Sequence, residues 1–269
     1  MQYSVYSDSA WTYPDSPHTQ IHQASLEAAR GGHAAFQLLG ETLDAGTPIS
    51  VSMNWDQPCG LSLYAGELLP VGVDENTSAT LMTTTDYESC RDFVTRKAPF
   101  YVYDAIRPLE NTLTGTRLAL YLSFQADCEE APGLYTGTLH ITVGEDKISV
   151  PVSCRVRSAC VPPIGKARLG MLNFFDYEGL TRQHDAAENR EGYWVRAQLT
   201  MRCTHILLPS GRPILENGII TGFDFSAALR AGRIAMEEGA PYLCGGHIAH
   251  WAEWTGEEYF LSWSPSTGV

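Results

Sequence analysis

Two spacings of apolar residues divide this chain near residue 160. Upstream, apolar and polar positions alternate. In residues 147–157, Ile148, Val150, Val152, Cys154 and Val156 fall on one side, while Lys147, Ser149, Ser153, Arg155 and Arg157 fall on the other. A period of two is that of a strand with one buried face. Residues 48–55, 61–73, 117–125 and 134–143 read the same way, separated by turn chemistry such as Ala131-Pro132-Gly133 and Gly144-Glu145-Asp146. Short strands with frequent turns predict a β-sandwich over residues 1–158. Residues 25–30 have helical propensity, but Gly31-Gly32 follows at once. Strand, glycine turn, strand through His33 to Leu39 is the preferred reading, because propensity is a weak prior. The aromatic tract Phe100-Tyr101-Val102-Tyr103 reads as a strand rather than a carbohydrate platform.

Downstream of a linker at residues 159–167, with its proline pair Pro162-Pro163, short apolar runs alternate with helical periodicity. Residues 169–175 form a strand candidate. Residues 187–202 suit a helix, with Trp194, Ala197 and Met201 on one face. Residues 205–208 form a second strand candidate. Asp224 is placed to cap a helix over 225–238, with Phe225, Ala228, Leu229, Gly232 and Met236 on one face and Gly239 ending it. A third strand opens at residues 242–244. Strand–helix–strand repeats predict right-handed βαβ units. The fold class expected is therefore multi-domain β then α/β, a sandwich followed by the first βα units of a TIM-like barrel. About a hundred residues follow the linker, against roughly 250 for a complete barrel. Residues 168–269 are thus expected to be a partial, truncated barrel. A small open α/β domain of unrelated function is the alternative.

Composition narrows the function classes. The chain of 269 residues has a formal net charge of −13 and no basic run, which argues against nucleic-acid and anionic-membrane partners. No stretch approaches the roughly 18 apolar residues of a membrane span, and the N-terminus lacks the pattern of a secretory signal. Seven scattered cysteines without a CxxC pair fit reduced, unpaired thiols better than a disulfide framework or a zinc site. The expected location is cytoplasmic, and no cofactor or metal is expected.

Two stretches carry a family likeness. Pro132-Gly133-Leu134-Tyr135-Thr136-Gly137-Thr138-Leu139, followed by the hairpin into residues 147–156, resembles the last hairpin of the N-terminal sandwich in glycoside hydrolase family 123. Ala28–Gln37, with Arg30-Gly31 and Phe36-Gln37, resembles a strand pair near the start of the same domain, with His33 where the family usually carries Glu. The resemblance implies substrate-assisted, retaining hydrolysis of β-linked N-acetylgalactosamine, a departure from the two-carboxylate scheme. There an Asp orients the sugar's acetamido group and the adjacent Glu protonates the leaving oxygen. In this chain Asp-Glu occurs once, as Asp74-Glu75, in a sandwich loop where a solvated surface pair is expected. The catalytic pair is therefore expected beyond this chain, which alone would be inactive.

In βα barrels the functional residues sit at the C-terminal ends of strands. Asn173, Asp176, Tyr177 and Glu178 follow the first strand candidate, and Ser210, Gly211 and Arg212 the second. After the third come His247, His250, Trp251 and Trp254. Indole faces stack on pyranose rings, and imidazoles or carboxylates bond their hydroxyls. Asp176, Tyr177, Glu178, His247, His250, Trp251 and Trp254 are the substrate-binding candidates. Packing of the two tryptophans and solvation of the two carboxylates stand as alternatives. His247 and His250 with Glu253 make only a weak metal pattern. There is no GxSxG elbow, P-loop or GxGxxG after a strand. The partner expected is an amino-sugar glycoside, with self-association through barrel-facing Met171, Ile206 and Leu243 left uncovered. A non-catalytic carbohydrate-binding or assembly protein is the alternative.

Overall fold

The computed structural model describes residues 1–76, 95–162, 171–172 and 190–245, together with the backbone of 249–251 and 258–260. The chain divides into two compact units, Met1–Val161 and Pro162–Val269.

The first unit is a sandwich of nine strands: β1 (Tyr3–Ser7), β2 (Ala24–Arg30), β3 (His33–Thr42), β4 (Ile49–Trp55), β5 (Leu61–Val73), β6 (Phe100–Pro108), β7 (Arg117–Ala126), β8 (Gly133–Val143) and β9 (Asp146–Cys160). One sheet has the order β1-β3-β7-β5-β6, the other β2-β9-β8-β4. All pairings are antiparallel except β2 with β9. The alternation in β9 does what the sequence predicts. Ile148, Val150, Val152, Cys154 and Val156 are all buried, facing Phe36, Leu38, Leu120, Leu122 and Phe124 of the other sheet. Residues on either side of the Gly31-Gly32 turn are both strands, but they belong to opposite sheets, so the segment is a crossover rather than a hairpin.

The glycines and tyrosine of the PGLYTG stretch have structural duties. A Cβ on Gly137 would lie 2.3 Å from the Asn54 carbonyl oxygen and 2.9 Å from Trp55 Cα. Only glycine lets β4 come this close to β8. Tyr135 is buried and donates its hydroxyl hydrogen to Glu130 Oε1 at 2.6 Å. That bond, and burial after it, push the phenol up to about 12. On β5, an interior strand of the five-stranded sheet, Glu67 is 1% exposed. It accepts from Gly115 N at 2.7 Å, Thr114 N and Oγ1 at 2.9 Å, and pairs with Arg107 at 2.7 Å.

The second unit contains α1 (Arg190–Thr200), β10 (His205–Leu207), a hairpin of β11 (Arg212–Glu216) and β12 (Ile219–Asp224), α2 (Ser226–Glu237) and β13 (Tyr242–Cys244). Strands β10 and β13 pair in parallel. A strand, a helix and a parallel strand therefore follow one another, with the β11–β12 hairpin inserted between β10 and α2. Both helices pack on a small core of Val195, Cys203, Ile206, Ala231 and Ala235. Gln198 ties α1 to the strand, donating to the Leu207 carbonyl at 3.1 Å and accepting from Leu207 N at 2.7 Å.

Several expectations change here. The helix over 225–238 presents Ala231, Gly232 and Ala235 inward, whereas Phe225, Leu229 and Met236 are exposed. Small residues, not the large ones, make the contact, because they let α2 approach its neighbours closely. Met201 is exposed while Trp194 is buried, its indole donating to the Leu207 carbonyl at 2.6 Å. Arg212, expected to follow the second strand, begins the β11–β12 hairpin. Ile206 is fully buried, although Met171 and Leu243 are indeed exposed. The strand expected at 169–175 lies mostly outside the described residues; Met171 hydrogen-bonds backbone and side chain of Thr204. Beyond β13, β14 (Ala249–Trp251) pairs antiparallel with β15 (Glu258–Phe260). Among the described residues of the second unit there is one parallel strand pair, β10 with β13, and no closed barrel.

Candidate functional site

The substrate-binding candidates of the second unit are not brought together by the described structure. Asp176, Tyr177, Glu178, His247 and Trp254 lie outside the described residues, as does Asn173. Only the backbone of His250 and Trp251 is described, in β14, with His250 opposite Tyr259. Asp74 and Glu75 are exposed in a loop after β5, as expected of a solvated pair.

Where the side chains are described, a site builds up on the outer face of the five-stranded sheet. The outward positions of β7 and its neighbours are apolar rather than charged. Leu39, Leu68, Tyr103 and Ala119 form a second small core there, with Tyr6 and Tyr121 packed against it. The chain after β1 folds over this face. Gln37, buried on β3, holds it down: its amide nitrogen donates to the carbonyls of Ser7 (3.1 Å), Asp8 (3.3 Å) and Ala10 (2.8 Å). Its oxygen accepts from Thr12 Oγ1 at 2.5 Å. Further along, Tyr103 N donates to the Thr12 carbonyl at 2.9 Å. Arg117 reaches the carbonyls of Pro14, Ser16 and Gly40. Arg96 grips Asp15 through two bonds of 2.7 and 2.5 Å and lies over the Tyr13 ring at 4.7 Å. Every polar group of Gln37 is thus spent on fixing the segment from Ser7 to Thr12.

That clamped segment makes one wall of a cleft of 280 Å³, near the lower end of small-ligand pockets at about 300 Å³. Trp11, 58% exposed, stands at its edge. Tyr103, Tyr121 and Ile106 line it, and the exposed carboxylates Asp8 and Asp104 contribute polar groups. Tyr64 extends the surface, since Gly66 leaves room for its ring: a Cβ there would be 3.3 Å from Tyr64 Cε1 and 2.5 Å from Ile106 Cγ2. Burial, then Asp8 and Tyr64, raise the Tyr121 phenol. Burial likewise raises Tyr103, against the opposing charge of Arg117. Both rings are therefore neutral donors at ordinary pH. An exposed indole, phenols and two carboxylates around a shallow cleft suit a ligand with one apolar face and a rim of hydroxyls, which is the chemistry of a pyranose ring.

Two larger grooves are less suited. One of 460 Å³ runs along the β1–β2–β3 seam, where Ala34, Ala35 and Phe36 mix with Asp8, Gln23, Glu27 and His33 but no indole is present to stack on a ring. Another of 390 Å³ is bordered by Arg117, whose guanidinium is already committed to carbonyls. Among the described residues no group of His, Cys, Asp or Glu is arranged to hold a metal ion, and no helix is long and apolar enough to cross a membrane.

No motif or spacing in the sequence marks Asp8, Trp11, Asp104 or Tyr121 as a site. A signal that this sheet face is covered is present in β7: Leu118 through Phe124 is apolar or aromatic at nearly every position, the mark of a strand covered on both faces.

No protein-family model and no curated protein matches this chain. Solved structures do. A family 123 glycoside hydrolase from Clostridium perfringens, described in connection with glycolipid glycan hydrolysis, is similar over 98% of this chain and 53% of its own, with a TM-score of 0.62 and 10% identity. This chain thus spans about half the length of that enzyme, and the likeness is one of fold. Domains 4 and 5 of the S-layer protein SbsC align with 55% of this chain and 51% of theirs at 11% identity, with a TM-score of 0.25. The N-terminal domain of PorA aligns with 59% of this chain and 99% of its own at 7% identity, with a TM-score of 0.28. Scores this low carry no argument.

Proposed function

We propose that the protein handles amino-sugar glycosides and is built on the plan of a family 123 glycoside hydrolase, its second unit being the opening of a TIM-like barrel. The observation that carries this reading is the fold likeness to such an enzyme over 98% of the chain. The PGLYTGTL hairpin adds to it. In this reading catalysis is substrate-assisted: the acetamido group attacks the anomeric carbon and an adjacent Asp-Glu pair orients and protonates. No such pair follows residue 160, so the pair is supplied by sequence outside this chain. Within the chain, Asp176, Tyr177 and Glu178 after the first barrel strand are sugar contacts of the second unit. His247, His250, Trp251 and Trp254 are the others.

A specific observation favours a second reading, a carbohydrate-binding protein without catalysis. The cleft at Trp11 and Tyr121 lies wholly within the sandwich and requires nothing from a barrel.

Both readings require sugar binding, and in both this chain by itself is catalytically inert. The purified 269-residue chain is expected to release no chromophore from an aryl β-N-acetylgalactosaminide, yet to be retained by immobilised N-acetylgalactosamine-terminated glycans. Turnover would contradict an inert chain. Failure to bind any member of a glycan panel would remove the carbohydrate reading altogether.

A further inference from the structure

The end of the sandwich where β2, β7 and β9 meet carries two thiols that no sugar chemistry uses. Gly31, at a φ of +68°, turns the chain out of β2. Its N–H donates to the Ala126 carbonyl at 3.0 Å, while Val161 N donates to the Arg30 carbonyl at 2.8 Å. A Cβ on Gly31 would lie 2.8 Å from Cys128 Sγ and 2.6 Å from the Val161 carbonyl oxygen. Cys160 Sγ lies 3.6 Å from that same oxygen. The turn after β7 and the last residue of β9 therefore place both sulfurs beside the Gly31–Val161 contact, within hydrogen-bonding reach of each other. Cys160 is exposed and Cys128 half-buried.

We infer that Cys128 and Cys160 are a reactive dithiol that closes reversibly into a disulfide, a staple between the turn after β7 and the end of β9. The proximity is also felt electrostatically: burial first, then the Cys160 thiol, then Asp127 and Glu129 push the Cys128 thiol up. The exposed Cys160 is accordingly the entry thiol and Cys128 the resolving one. With a low-molecular-weight disulfide as oxidant, the Cys160 thiolate attacks one of its sulfurs and releases one small thiol. Cys128 then attacks the Cys160 sulfur of the mixed disulfide and releases the second. Two protein thiols are oxidised, one disulfide is reduced to two thiols, and the two protons pass to the departing thiolates.

The neighbouring pair offers a built-in contrast. Cys154 is fully buried, and burial pushes its thiol up to about 11, with Cys59 adding to the effect. That pair is expected to stay reduced.

The test uses the intact chain. It is incubated with glutathione disulfide at mildly alkaline pH, remaining thiols are trapped by alkylation, and peptides are mapped by mass spectrometry. The expected result is a Cys128–Cys160 bridged peptide, lost on treatment with dithiothreitol, and a melting temperature raised by about 5 °C in the oxidised form. In Cys128→Ser, Cys160 is expected to stop at the glutathione adduct. In Cys160→Ser, Cys128 is expected to remain free. Full alkylation of both thiols in the treated wild-type chain, or a bridge mapped to Cys59 and Cys154 instead, would overturn the inference. The mapping needs no variant, so a misfolded variant would not rescue it.

Discussion

Single residues decide how much of the sandwich survives a change of pH. Burial raises the Glu67 carboxyl, but the Gly115 and Thr114 hydrogen bonds and the Arg107 charge outweigh it, so its pKa is lowered overall. A lowered carboxylate pKa stabilises the fold above the unfolded-state value, and the contribution disappears as pH falls toward the folded-state value. Stability should therefore drop as pH falls below the ordinary glutamate range, and Glu67→Gln should remove that part of the dependence. At neutral pH the variant should lose roughly 2–4 kcal/mol, because an amide satisfies neither Arg107 nor all four donated hydrogens. Urea titrations of both proteins between neutral and acid pH measure this. A residue of this kind was not legible in the sequence. Its partners Arg107, Thr114 and Gly115 come from β6 and the following loop, and only the fold brings them to one carboxylate.

Among the elements, the strands were the most legible, because alternation in β9 and β8 is set by a single buried face. The boundaries of β5 agree with the expectation, residue for residue. Helix α2 was legible, but of its expected face only Gly232 is buried. Periodicity selects the large apolar residues, whereas the contact is made by Ala231 and Ala235. The hairpin β11–β12 escaped because Asn217-Gly218, with φ of 53° and 81°, was not read as a turn signal between two short apolar runs. Strand β1 also escaped, being short and set in a polar stretch. The sharpest prediction at this scale concerns Gly137, where β4 and β8 meet backbone to backbone. Gly137→Ala should cost about 2–3 kcal/mol, since the clash is with a carbonyl that cannot move aside without breaking the ladder. Chemical denaturation would register it as a lower midpoint with an unchanged slope. Gly46→Ala is a less direct control: no atom lies within 4 Å of its Cβ position, although its own φ of +85° carries backbone strain.

For the whole molecule, the sequence led toward the second unit for function, whereas the described geometry offers its most complete site on the sandwich. The reason is physical. Barrel reasoning looks for chemistry at strand ends, while the sandwich cleft is assembled from a loop after β1 and the outward faces of β5, β6 and β7. Gln37 clamps that loop, and no spacing rule connects Gln37 to Trp11. The most direct measurement is a titration of the chain with an N-acetylgalactosamine-terminated oligosaccharide, followed by tryptophan fluorescence and calorimetry, alongside Trp11→Ala. Trp11 is exposed, so its removal should leave the melting temperature within about 1 °C. The account predicts saturable binding that weakens at least tenfold in the variant, as expected when a stacked aromatic worth about 1.4 kcal/mol or more is lost. Binding of equal strength in both proteins would contradict the sandwich site, and no binding in either would contradict the carbohydrate account as a whole.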